Sequence, residues 1–259
     1  MRKDEQDQNG LLKVDEHDRV VVVTLRSPGS RFSLALLERL ESLARTWKSR
    51  RELGALLLRA EGADFSHGAD LKDPGMASLV LGDEQSRRRL AHLGQSLVET
   101  WMTLPFPTVA SCQGRVVGAG ACVMMASSFR FVTPETTCRF PEVDLGMSLS
   151  WGILPRLVSE LGPAWTRRLV LAGESVQVAS MKPGAWSVHS SDDLDREARN
   201  FAHALALKPS GSVRHTLETM HALESAQQGL AADDAKRFAL TAGGHEFKEA
   251  VMRFLGMTK

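Results

Sequence analysis

The chain has 259 residues, 43% of them hydrophobic, and a net charge of +1 from 32 basic and 31 acidic side chains. That balance excludes an electrostatic attraction to nucleic acid or to an anionic membrane. The three cysteines have no CxxC or Cys/His spacing, which argues against a zinc site or a disulfide framework and makes a reducing cytoplasm the expectation.

Residues 1–10 are polar and mixed in charge, lack the apolar core of a signal peptide and are expected to be a disordered, frayed end. Residues 11–25 alternate and then run apolar, which predicts two strands around a polar turn at 15–18. A break at 27–30 leads into a helix over 34–48, with apolar residues at 36, 37, 40, 43 and 44. Residues 55–60 predict a short buried strand, and strand–helix–strand order implies α/β architecture with right-handed crossovers. The stretch 73–82 is expected as a loop, and 83–104 as a long amphipathic helix closed by Pro105 and Pro107.

Strands follow at 108–112, 129–132 and 137–140, with a buried small-residue helix at 118–126. Helices are expected at 154–161 and 164–172, whereas 176–191 is poorly patterned. From 192 onward the pattern is mostly helical, broken at Pro209, Gly229 and the Gly243, Gly244 pair. The organisation is therefore an α/β core over 11–191 and a helical region over 192–259. The longest apolar runs are too short to span a bilayer.

Two glycine-containing stretches, FSHGADLK (65–72) and QGRVVGAGAC (113–122), each follow a predicted strand and lead toward a helix. Small residues let a ligand approach the backbone, and two N–H groups converging on one oxygen would stabilise an oxyanion. The competing reading is close helix packing. Glu142 lies between Phe140 and the apolar Val143 and Leu145, where its charged form is disfavoured and a general acid/base is favoured; a solvent-facing glutamate is the other reading. No phosphate loop or dinucleotide fingerprint is present.

The ordered set FSHGADLK (65–72), PTVA (107–110), QGRVVGAG (113–120) and PEVDLG (141–146) resembles the crotonase (enoyl-CoA hydratase/isomerase) superfamily, over residues 11–172 most clearly. The resemblance implies a spiral of ββα units with a C-terminal helical trimerisation region, hence a homotrimer or dimer of trimers. It implies an acyl-CoA or acyl-carrier-protein thioester as substrate and no cofactor beyond the CoA or phosphopantetheine that carries the acyl group. Backbone N–H groups of Ala69 and Ala119 would form the oxyanion hole, with Leu71 and Lys72 near the carrier; a solvated Lys72 is the alternative. The Ala242–Phe254 stretch, AGGHEFKEAVMRF, resembles the last helix of the family, whereas VQVASMKPGAW (176–186) departs from its pattern.

Family hydratases use two glutamates. Here the second is Glu142, and the first falls on Cys122, a poor proton carrier for that role and better read as a buried small hydrophobe than as a nucleophile. The position of the extra aspartate of dienoyl-type isomerases holds Ser150, and Asp144 is read as solvent-facing. Two branches work with a single glutamate: the Δ3,Δ2-enoyl-CoA isomerases, and the dehydratases of 3-hydroxy-3-methylglutaryl groups on carrier proteins in polyketide β-branching. TWMTL (100–104) and ILPRL (153–157) resemble the second branch, and MSLSWG (147–152) stands where fatty-acid enzymes have a Pro-Gly-Gly-rich loop. The expected activity is thus that of a lyase or isomerase with Glu142 as sole acid/base, dehydration on a carrier protein leading, isomerisation next, and a non-catalytic scaffold of the same fold third. His67, Trp101, Leu145, Ser150 and Trp151 are candidates for the acyl pocket. For His67 a loop-surface role, and for the tryptophans core packing, are the alternatives.

Overall fold

The computed structural model describes residues 3–6, 10–228 and 234–256. Strands β1 (Lys3–Gln6), β2 (Leu12–His17) and β3 (Val20–Leu25) open the fold. Lys3–Gln6, expected to fray, instead pairs antiparallel with β2 as an edge strand; the rest of the first nine residues lie outside the described set. β3 is buried on both faces, as befits its unbroken Val run. Helix α1 (Leu34–Trp47) starts where Ser33 Oγ accepts the Leu36 N–H at 3.2 Å.

Next come β4 (Ala55–Ala60), α2 (Pro74–Leu81) and α3 (Glu84–Met102). The α2 segment corrects the expected loop at 73–82. Asp73 caps it by accepting the Met76 N–H at 3.0 Å, and Pro74 sits at the first helical position, where its missing N–H costs nothing. Then β5 (Thr108–Cys112), β6 (Arg115–Val117) and the wholly buried α4 (Ala119–Ala126) follow, β6 having been hidden inside the glycine-rich stretch. The pair β7 (Phe129–Val132) and β8 (Thr137–Arg139) leads to α5 (Leu154–Val170). The two helices expected there are one element interrupted at Gly162, whose φ is 83°, with Pro163 next to it. Within the poorly patterned stretch lie the short strands β9 (Val176–Gln177) and β10 (Ser187–Val188). Helices α6 (Leu194–Ala206), α7 (Ser210–Gln228), α8 (Asp234–Thr241) and α9 (His245–Phe254) end the described chain; the break expected at Gly229 lies outside the described residues.

One sheet runs β1-β2-β3-β4-β5-β7-β10, parallel from β3 onward, and a second runs β6-β8-β9. Bridges Phe32–Ala69 and Ser66–Val116 extend the second layer backward along the chain. In successive turns the chain therefore climbs a strand of the large sheet, lays a short extended segment in the second layer and enters a helix. This is the α/β spiral of ββα units. Its main core lies between the sheets and α1, α3, α4 and α5; α6 covers the outer face of the large sheet through Leu194, Ala198, Ala202 and Ala206. Phe238 of α8 and Phe247 and Val251 of α9 join the main core, so the helical tail returns to the body of the protein.

Candidate active site

The second-layer segments are in register. Ser66 bridges Val116, and Val116 pairs with Cys138. Ala69 and Ala119 each lie three residues beyond their bridged partner, and Glu142 lies one residue further along its own segment. Both alanines follow a glycine with positive φ, 84° at Gly68 and 48° at Gly118. That conformation suits glycine and turns the chain out of the layer. Gly68 N–H donates to Ser66 Oγ at 3.1 Å and Gly118 N–H to the Arg139 carbonyl at 2.9 Å. Among the described residues the N–H groups of Ala69 and Ala119 themselves have no hydrogen-bond acceptor.

A cavity of about 510 Å³ opens beside them. It is lined by Ala69, Ala119, Cys122, Glu142 and the acyl-pocket candidates His67, Leu145, Ser150 and Trp151, with Leu71 also at its wall. Two candidates fall elsewhere. Trp101 is buried in the core, where its indole N–H donates to Ser127 Oγ at 3.1 Å and its ring meets Trp47 edge-on at 6.5 Å. Lys72 is exposed and outside the lining.

Glu142 is not at a strand end. It begins a 3-10 turn over Val143–Leu145, with φ −57° and ψ −42°. The turn is braced by Met147 N–H donating to the Glu142 carbonyl at 2.8 Å, and by the start of α9, which packs so closely on Gly146 that a Cβ there would stand 2.7 Å from the Phe247 nitrogen. The residue as a whole is half-buried, yet Oε2 is shut off from solvent without a protein hydrogen-bond partner. Burial raises its pKa to about 7, opposed by a backbone hydrogen bond and by the charge of Arg139. Oε1 stands 3.3 Å from where a Cβ on Gly118 would be, so glycine at 118 leaves the carboxylate its room.

Cys122, on the first turn of α4, is a free, buried thiol. Burial, then the charge of Glu142, pushes its pKa well above the usual range and keeps it protonated. Cys112 and Cys138 are likewise free and buried, and among the described residues no group of His, Cys, Asp or Glu could hold a metal ion. Asp144 is exposed and pairs with Arg139 at 2.7 Å, and both also line the cavity, so Asp144 is not turned wholly away from the site.

His67 has partners that reading residue by residue overlooked. Its Nε2 lies 2.7 Å from Asp64 Oδ2 and its Nδ1 3.3 Å from the Arg31 guanidinium. A guanidinium only donates, so Nδ1 accepts and Nε2–H donates to Asp64. Arg115, 2.9 Å from Asp64, holds that carboxyl far below the usual range, and the imidazole is fixed at both nitrogens. This chain clasps the loop that carries Ala69. The signal was Asp64 itself, three residues before His67.

The spiral, its register and this cavity define an α/β enzyme of the crotonase type. Over residues 15–259 the sequence matches the model of the enoyl-CoA hydratase/isomerase family, and the chain belongs to that enzyme family. A Bacillus subtilis (strain 168) protein described as a probable enoyl-CoA hydratase is 27% identical over 253 residues, 96% of each chain. Among solved structures, an enoyl-CoA hydratase/isomerase from Mycobacterium paratuberculosis matches with a TM-score of 0.86 at 18% identity, over 94% of this chain and 98% of that one. One from Xanthobacter autotrophicus Py2 gives 0.84 at 20% identity, over 95% and 94%. At such identities these structures speak for the fold alone. Among the described residues no helix is long and apolar enough to cross a membrane.

Proposed function

We propose that the protein is an acyl-thioester lyase or isomerase in which Glu142 is the only proton carrier and the N–H groups of Ala69 and Ala119 receive the thioester oxygen. The observation that carries this is Glu142 at the wall of a cavity it shares with two free backbone donors, its Oε2 shut off from solvent and unpartnered. The ionised carboxylate takes a proton from the carbon next to the thioester carbonyl. The electron pair moves onto the carbonyl oxygen, where the two N–H groups stabilise the enolate. In dehydration the enolate re-forms the carbonyl and the carbon–carbon double bond, the 3-hydroxyl leaves, and Glu142–H protonates it to water. In isomerisation Glu142–H returns the proton to the far end of a dienolate. Cys122, held as a thiol, offers no second carboxylate to position water, which favours both routes over two-acid hydration.

The preferred substrate is a 3-hydroxy-3-methylglutaryl-type thioester on an acyl carrier protein. Such a group ends in a carboxylate, and Arg253 lines the cavity with no ion-pair partner among the described residues, as a receptor for it would. The Δ3,Δ2-enoyl-CoA isomerase reading needs no such cation. Leu71 at the cavity wall and Lys72 beside it suit contact with CoA or phosphopantetheine. Exposed Met220 and Leu223 on α7 support self-association through the helical tail, as in a trimer. The test is a mass-spectrometric assay of 3-hydroxy-3-methylglutaryl and 3-enoyl thioesters on CoA and on a carrier protein. Turnover of either, abolished in folded Glu142→Gln, supports the single-glutamate reading. Full turnover in that variant overturns it. Tight binding with no turnover in the unsubstituted protein would instead favour a non-catalytic scaffold.

A further inference from the structure

Gly94 and Trp151 each break a local rule, and the two breaks meet. Gly94 is buried inside α3, where glycine costs about 1 kcal/mol relative to alanine. Trp151 has φ 71°, a region that bulky residues avoid. A Cβ on Gly94 would stand 1.9 Å from the Trp151 Cε2 and 2.0 Å from its Nε1. The indole therefore fills the notch that the missing side chain leaves in α3. The loop bearing it is tied to α8 by Ser148 N–H, which donates to Thr241 Oγ1 at 3.0 Å. Leu90 and Ala91, one turn earlier on α3, line the same cavity as Trp151 and Leu149, so the indole stands where the cavity's apolar wall meets the helix.

We infer that Trp151, seated in the Gly94 notch, sets the length of acyl group the cavity takes. The inference rests on the thioester reading above. Its test is calorimetric affinity for saturated butyryl and octanoyl thioesters of CoA and of pantetheine, which needs no turnover. Trp151→Gly removes the indole and suits the positive φ, so it keeps the loop conformation. The octanoyl-to-butyryl affinity ratio should rise about tenfold or more, as added methylenes find apolar room. Trp151→Phe should hold the ratio close to that of the parent, and Gly94→Ala, which evicts the indole, should change it. An unchanged ratio in folded Trp151→Gly would show that the indole serves packing alone and overturn the inference. If the parent binds neither thioester on either carrier, the inference falls, whereas the thioester reading stands or falls separately with the mass-spectrometric assay on carrier-protein and CoA thioesters.

Discussion

Glu142 in the cavity and Glu160 on α5, both half-buried, are treated in opposite ways. Glu160 sits between two nearly buried guanidinium groups, 2.6 Å from Arg130 and 2.9 Å from Arg156, whose other end reaches Glu224 on α7 at 2.8 Å. Arg130 also donates to the carbonyls of Met125 and Ser127, so β7, α4 and α5 are pinned to one charge cluster. Glu142 has Arg139 only at a distance, and Arg139 is already paired with Asp144. Burial with a partner makes an anchor. Burial without one leaves a carboxyl group that exchanges its proton near neutral pH.

The largest expected effect breaks the comparison on the cavity side. Glu142→Gln should lower kcat/KM about a thousandfold, within the usual range for loss of a general acid/base, with the circular-dichroism spectrum unchanged. On the α5 side, Glu160→Ala should leave Arg130 buried and unpaired. About 3 kcal/mol of stability should go, read by urea unfolding, with activity per folded molecule retained. Equal loss of activity from both substitutions would erase the distinction. Gly118→Ala comes next, because its φ of 48° strains any side chain and its Cβ would press on Glu142 Oε1. About 1–2 kcal/mol of strain and a roughly tenfold fall in kcat/KM should appear together.

The smallest effect is the pH dependence of stability. A carboxyl whose pKa is raised from 4.5 to about 7 on folding favours the native state in its protonated form. That contribution is complete below 4.5 and lost as pH rises through about 7. Glu142→Gln should therefore match the parent in acid and melt about 2–4 °C higher above neutral pH, after allowing for partial solvent screening. In the same window kcat/KM of the parent should rise as the base form appears.

Period and punctuation made most strands and the helices α1, α3 and α4 legible, because their burial is one-sided or complete and their ends carry Ser, Asp, Gly or Pro. The exceptions have physical causes. α2 is short, and its helicity comes from the Asp73 cap rather than from an apolar stripe. β6 is three residues long and is held by neighbours on both sides. Of the candidate residues, the small-residue loops and Glu142 were visible as composition. Trp101 was ambiguous because an amphipathic helix places core and cavity residues on one face. The Gly94–Trp151 contact joins positions 57 residues apart, beyond what local pattern can report.

The matched register of the second layer has one more consequence. Neighbouring strands lie about 4.8 Å apart whatever their side chains. The Ser66–Ala69 and Val116–Ala119 segments thus act as a ruler, graduated by the pitch of the spiral rather than by any loop. Sequence can drift while the gap between the two amides stays constant. A change of chemistry would then need only a different side chain set against a spacing that is already in place.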